Sequence, residues 1–219
     1  MALKIYSTIR QSYRDGGITQ IVRKGIRKTS YLLYHTNNAY WFRMDLQEEI
    51  KGFTPDGNVS VHLDIPYDTI EYIEKHGCYY PEEISTGLPM GHLYSNLKYR
   101  GEIIGYNKTG FNRVYIEDFK RVYQFPQNVA FTYDTYINPE YRNRNYGPFL
   151  LSKVCNNLKE KGFKSIWAHI PPWNNASESM HRKIGFQHQQ KMIAYYWFAG
   201  IAWTTCNPVR FIASVENIQ

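Results

Sequence analysis

Apolar positions between Ile18 and Tyr34, "ITQIVRKGIRKTSYLLY", recur every three or four residues: Ile18, Ile21, Val22, Ile26, Thr29, Leu32 and Leu33. That spacing predicts a helix of about 25 Å with one apolar stripe. Arg23 with Arg27, and Lys24 with Lys28, stack one turn apart on the opposite side. Tyr40, Trp41 and Phe42 follow as an aromatic flank beside Arg43. "FTPDG", Phe53 to Gly57, is a turn signal. Beyond it, "NVSVHLDI" alternates as a strand does, and "YDTIEYIEKHG" has the pattern of a short helix closed by Gly77. "YYPEEISTGLPMG" reads as a loop with one helical turn. Strands are predicted at "GEIIGYN", "RVYIEDFKRVYQF" and "NVAFTYDTYI", then a helix from Pro148 to Lys161 ended by Gly162. "KSIWAHI" is a further strand, and "NASESMHRKIG" a helix opened by Asn174 or Asn175 and closed by Gly185. The longest apolar run, "MIAYYWFAGIAW", has 12 residues. A membrane-spanning helix needs about 20, and the aromatic and β-branched content predicts a buried strand, or two joined near Gly200.

Composition adds a core and an asymmetry. The 219 residues, 43% hydrophobic and 16% aromatic, are enough for one well-buried domain with an appendage. The net charge is +7, and residues 1–43 hold eight basic groups against one acid, leaving 18 of each sign in the rest. The chain therefore divides into a basic segment, 1–45, and a neutral body, 46–219. A basic amphipathic helix with an aromatic flank is suited to an anionic membrane surface, here through residues 10–43, where each basic group is worth about 1 kcal/mol. The competing reading packs its apolar stripe on the body of the protein. Nucleic acid is disfavoured, because aromatics are not interleaved among the basic residues. Cys78, Cys155 and Cys206 lie far apart and without CxxC spacing. They fit neither a disulfide framework nor a metal knuckle, so a reducing, cytoplasmic setting is expected, with a peripheral place on the inner membrane face as its variant. The start, "MALKIYSTIRQSYRDGG", has no secretory-signal pattern.

The turn "YINPEYRNRNYGPFLL" carries the chemistry. A strand runs through Arg142, Asn143, Arg144, Asn145, Tyr146 and Gly147 into a helix, which places unpaired N–H groups at a positive helix end. Such a terminus favours a phosphate or pyrophosphate. Arg142 and Arg144 can add charge-assisted hydrogen bonds, and Gly147 lets a ligand approach the backbone.

The order strand, Arg-x-x-Asn-x-Gly, helix, strand, Asn, helix ending in Gly-Phe resembles the GNAT superfamily of acyl-CoA-dependent N-acetyltransferases. Arg142 and Gly147 match the first and last positions of that family's pyrophosphate loop, and "INPEYR" resembles its approach. Asn174, Ser177, Lys183, Gly185 and Phe186 resemble its downstream segment. The resemblance is closest over residues 98–190. It implies an α/β (mixed α+β) fold with a central, mostly antiparallel sheet flanked by helices, in which two strands splay apart to form the cofactor cleft. It also implies acetyl-CoA as cofactor, its pantetheine pairing with backbone near Ile137 and Asn174 helping to hold it. Asn174 can equally be a plain helix cap. Two residues depart from the family pattern: Asn145 stands where glycine is usual, and Pro148 removes one N–H from the helix start. Asparagine tolerates a left-handed conformation, so the turn survives.

The implied reaction is attack of an uncharged amine on the thioester carbonyl. His181 occupies the position of the family's acid, as an imidazolium, or is a surface histidine. Asp134 is the first candidate for the base; His169, Glu117 and Asp118 are alternatives. A lysine amine of pKa about 10.4 is less than about 0.1% neutral at pH 7, a cost above about 4 kcal/mol, whereas weakly basic amines lose little. An acceptor such as an amino sugar or amino acid is therefore favoured over protein lysine. The alternatives are a longer acyl donor used at a membrane surface, and a non-catalytic module of the same fold. The aromatic C-terminal strands are a candidate homodimer surface. No metal site is expected.

Overall fold

The computed structural model describes residues 34–55, 57–77, 79–119, 121–197, 201–204 and 215–217. The basic stretch from Ile18 up to Leu33, Cys78, Cys206 and Gly200 lie outside the described residues. Tyr34–Asp45, read in the sequence as the helix end and its aromatic flank, is instead strand β1. It runs inside the main sheet, paired on both sides. Trp41 is buried on one face, while Phe42 and Met44 join the core on the other. A strand covered on both faces reads as a continuous apolar run, which is why "AYWFRM" gave no alternation. The sheet thus begins before the boundary at residue 45.

The remaining strands are β2 (Val59–His62), β3 (Leu93–Tyr99), β4 (Glu102–Phe111), β5 (Arg113–Ile116), β6 (Arg121–Gln124), β7 (Val129–Ile137), β8 (Ser165–Ile170), β9 (Gln187–Trp197), β10 (Ile201–Thr204) and β11 (Val215–Asn217). The main sheet has the order β10-β9-β1-β8-β7-β4-β3-β2, and a small sheet has the order β11-β6-β5. Every neighbouring pair in the main sheet is antiparallel except β7 with β8. "RVYIEDFKRVYQF", expected as one strand, is β5 and β6 joined through a 3-10 turn at Glu117–Phe119, so Glu117 and Asp118 sit on that turn. β9 and β10 form the two-strand form of the C-terminal apolar run.

Four helices are described: α1 (Pro66–His76), α2 (Pro81–Gly87), α3 (Tyr146–Glu160) and α4 (Asn175–Ile184). Both α1 and α2 begin with proline, whose missing N–H does no harm in a first turn. α4 stops at Gly185, which adopts φ +119°, a region an L side chain resists. One face of the sheet packs against α3 and α4 through residues including Ala130, Leu150, Val154, Ile166, Ile184 and Phe186. The other face holds an aromatic cluster around Trp41, Phe119, Phe125, Phe131 and Trp167, closed by the small sheet. Beside it, α1 and α2 contribute Ile73 and Ile84 to a third cluster with Tyr94 and Tyr106.

Candidate active site

β7 and β8 pair only over Val129–Thr132 with Ser165–Ala168. Past that rung β7 follows β4 to Ile137 while β8 follows β1 to Ile170, so the two splay and leave a notch. A bulge accompanies the split: Lys108 opposes Asp134 but Thr109 opposes Thr132, which leaves Tyr133 as the extra residue. The bulge also resets the alternation. Tyr133 stacks on Phe131 and lies near Lys108, and Asp134 reaches Tyr106 and Lys108, so both side chains lie on the face away from α3. Asn138 N–H donates to Ile104 O across β4. By the antiparallel alternation, Thr135 and Ile137 then turn their backbone groups the other way, into the notch.

The turn beyond β7 takes the shape an anion site needs. Asn143 and Asn145 have φ of 64° and 58°, the left-handed conformation asparagine tolerates. Asn145 precedes α3 without a side-chain cap, and the first intrahelical bond is Phe149 N–H to Asn145 O at 3.0 Å. The N–H of Gly147 therefore lies in the first turn, ahead of the first intrahelical bond, at the positive end of the helix dipole. Asn143, Arg144 and Asn145 are exposed. Arg142 is exposed too, but anchored: its Nε donates to Ile137 O at 2.9 Å and its guanidinium lies 5.7 Å from the Tyr136 ring centroid. Gly147 has a packing role, since a Cβ there would come 2.7 Å from Met180 Sδ on α4. Asn174 caps α4, its side-chain oxygen accepting from Ser177 N–H at 3.1 Å.

His181 differs from the expected imidazolium. It is 4% exposed, its Nδ1–H donates to Ser177 O at 2.8 Å, and Phe186 meets its ring edge-on at 4.9 Å. Burial drives its pKa down to about 4, against a smaller raising effect of the Ser177 carbonyl. A neutral imidazole at pH 7 is no ready proton donor, and the helical pattern gave no sign that this face was buried.

Asp134 stands beside the notch in a charged cluster. Its Oδ2 accepts from Tyr106 at 2.6 Å and lies 3.4 Å from Lys108 Nζ. Lys108, 1% exposed, also donates to Glu83 Oε2 at 2.7 Å. Burial raises the Glu83 pKa, opposed by Lys108, and the two carboxylates raise that of Lys108 against its own burial. Asn107 is buried alongside, with hydrogen bonds to Thr132, Thr135 and Thr109. Asp118 and His169 form a second pair, Nε2–H donating to Oδ2 at 2.7 Å. That bond holds the Asp118 carboxyl below the usual range, against burial. His169 lies one residue past the last β7–β8 rung, with Nδ1 buried and without a hydrogen-bond partner. The cluster partners Glu83, Lys108, Tyr106 and Asn107 were missed in the sequence. The available signal was Asn107-Lys108, two polar residues in the middle of a strand-like run.

The acetyltransferase (GNAT) family matches residues 61–186. That is more than half of the chain, and the chain belongs to this family of acetyltransferases. Among solved structures it is similar to a GCN5-related N-acetyltransferase from Sphaerobacter thermophilus, with 12% identity and a TM-score of 0.54 over 84% of this chain and 58% of that one. A GCN5-related N-acetyltransferase from Kribbella flavida gives 10% identity and a TM-score of 0.56 over 77% and 61%. A GCN5-related glucosamine N-acetyltransferase region of a fungal multi-domain GH3 β-N-acetylglucosaminidase gives 13% and 0.51 over 80% and 23%. At such identities the likeness is one of fold, and the chain spans less than two thirds of the length of each. No curated protein matches by sequence. Among the described residues no helix is long and apolar enough to cross a membrane, and no cluster of His, Cys, Asp or Glu is arranged for a metal.

Proposed function

We propose that the protein is an acetyl-CoA-dependent N-acetyltransferase acting on a small amine, of the amino-sugar or amino-acid-like class. The observation that carries this is the notch past Thr132 and Ala168, which opens beside the uncapped start of α3. The residues present fit the cofactor: an uncapped helix start and a left-handed asparagine pair for its diphosphate, and, past Thr132, a β7 edge with no neighbouring strand for its arm. Asn143, Arg144, Asn145 and Gly147 hold the diphosphate through backbone and charge. Arg142 fixes the Ile137 carbonyl on the strand edge, and Asn174 flanks the far side. Acetyl-CoA supplies the activated acyl group. Asp134 meets the incoming amine from the opposite face, with Tyr106 and Lys108 holding one of its oxygens. The fungal structure's glucosamine chemistry supports the amino-sugar class of acceptor. Labelled acetyl-CoA offered with a panel of amino sugars, amino acids and a lysine peptide tests the reading. Turnover is expected with a small amine, and transfer only to the peptide contradicts it.

A further inference from the structure

Asn107 is fully buried on β4, opposite Thr135 of β7. Its Nδ2 donates to Thr132 Oγ1 and to Thr135 Oγ1, both at 2.8 Å, with the Asp134 carbonyl at 3.3 Å. Its Oδ1 accepts from Thr109 Oγ1 at 2.7 Å. One carboxamide thus ties down β7 on both sides of the extra residue Tyr133, where the β4–β7 ladder breaks register. The same two threonines bound the notch: Thr132 makes the last rung to β8, and Thr135 is the first residue past the bulge whose backbone faces the opening. An antiparallel pair needs no such clamp for its own stability, because the ladder resumes at Asp134. A buried amide with both hydrogens used is also costly to place unless every partner is fixed.

We propose that Asn107 is a positioning residue for acyl transfer: it fixes the bulge so that β7 amides at the notch meet the carbonyl oxygen of the bound acyl group. The inference rests on the acetyl-CoA reading above. Donors that stabilise developing charge work only when held in place beforehand, and a bulged strand left to itself is free to shift. A clamp that serves the acyl carbonyl has a signature that plain strand stability lacks. It matters for acetyl-CoA and hardly at all for CoA, which has no carbonyl there.

The test is calorimetric titration of the full chain with acetyl-CoA and, separately, with CoA, alongside thermal unfolding. The variants are Asn107→Ala, Thr135→Val and Thr135→Ser. In Asn107→Ala and Thr135→Val the affinity for acetyl-CoA relative to CoA falls by about three- to tenfold, the scale of one hydrogen bond. Thr135→Ser, which keeps the hydroxyl, retains the parent ratio. Thr135→Val keeps the question open to measurement if Asn107→Ala does not fold. An unchanged ratio in Thr135→Val, or equal weakening for both ligands, overturns the clamp while leaving the acetyltransferase reading intact. A parent protein that binds neither ligand overturns both.

Discussion

Tyr106 donates its hydroxyl to Asp134 Oδ2 at 2.6 Å, and the same oxygen lies 3.4 Å from Lys108 Nζ. Oδ1 makes no hydrogen bond among the described residues, and the Asp134 side chain remains 23% exposed. The carboxylate is thus anchored on one side and available on the other. Lys108 is the fixed point of this arrangement, since it also neutralises buried Glu83.

Removing that cation has a consequence with a sign. In Lys108→Met, Glu83 is left buried without its counter-charge, a loss of about 3–5 kcal/mol when one partner of a buried pair is deleted. Burial alone then raises the Glu83 pKa above its unfolded value. A raised carboxyl favours the folded state at pH values below the unfolded pKa, and the benefit is lost as pH rises through the folded one. The variant should therefore recover stability on acidification from pH 7 to 5, relative to the parent, in urea unfolding.

His181 and His92, the latter buried just before β3 with its Nε2 against the Phe111 and Arg113 carbonyls, both oppose acidification of the parent. Burial lowers both to about 4 from an unfolded value of 6.5. Each is neutral when folded and takes up a proton on unfolding, so its contribution is full above 6.5 and is lost as pH falls towards 4. Between pH 7 and pH 5 the cost is about 2 kcal/mol for each histidine. His181→Phe should flatten that slope by about half in denaturation curves. If the slope is unchanged, the buried, neutral His181 is contradicted, and an exposed acid is favoured.

Gly147 and Met180 are coupled across α3 and α4. A Cβ at Gly147 displaces Met180 Sδ, so Gly147→Ala should cost about 1 kcal/mol or more in spite of alanine's higher helix propensity. In the Met180→Ala background that cost should vanish. A double-mutant cycle on thermal unfolding reads the coupling.

Asn174→Ala removes the bond to Ser177 N–H and should lower stability by about 1 kcal/mol, the usual loss for a helix cap. Asn174→Ser keeps a cap. If Asn174 also touches the cofactor, the serine variant recovers stability without recovering CoA affinity. Recovery of both makes it a cap alone.

Much of this was legible because it is local. The helix after Asn145, the stop at Gly185 and the strand–turn–helix around Arg142 follow from caps, glycines and short-range periodicity. What stayed hidden depends on tertiary contact. β1 looked like a helix flank because a strand covered on both faces has no period of two. His181 sat on a helix with Arg182 and Lys183, yet it is buried, with Phe186 packed edge-on against its ring. The partners of Asp134, Tyr106 and Lys108, come from β4, with Tyr106 28 residues upstream, and a one-residue bulge decides which face it takes. Sequence alternation placed Asp134 opposite Tyr133; the bulge puts them side by side.

Calorimetric titration of CoA into the parent and into Arg142→Glu asks whether the turn at Arg142–Gly147 grips the diphosphate of coenzyme A, as proposed above. The charge reversal also frees the Ile137 carbonyl. One site per chain is expected in the parent, and an affinity at least about tenfold lower in the variant, the equivalent of about 1.4 kcal/mol. A parent that takes up no CoA, or a variant that binds it equally well, rules out this turn as the diphosphate site.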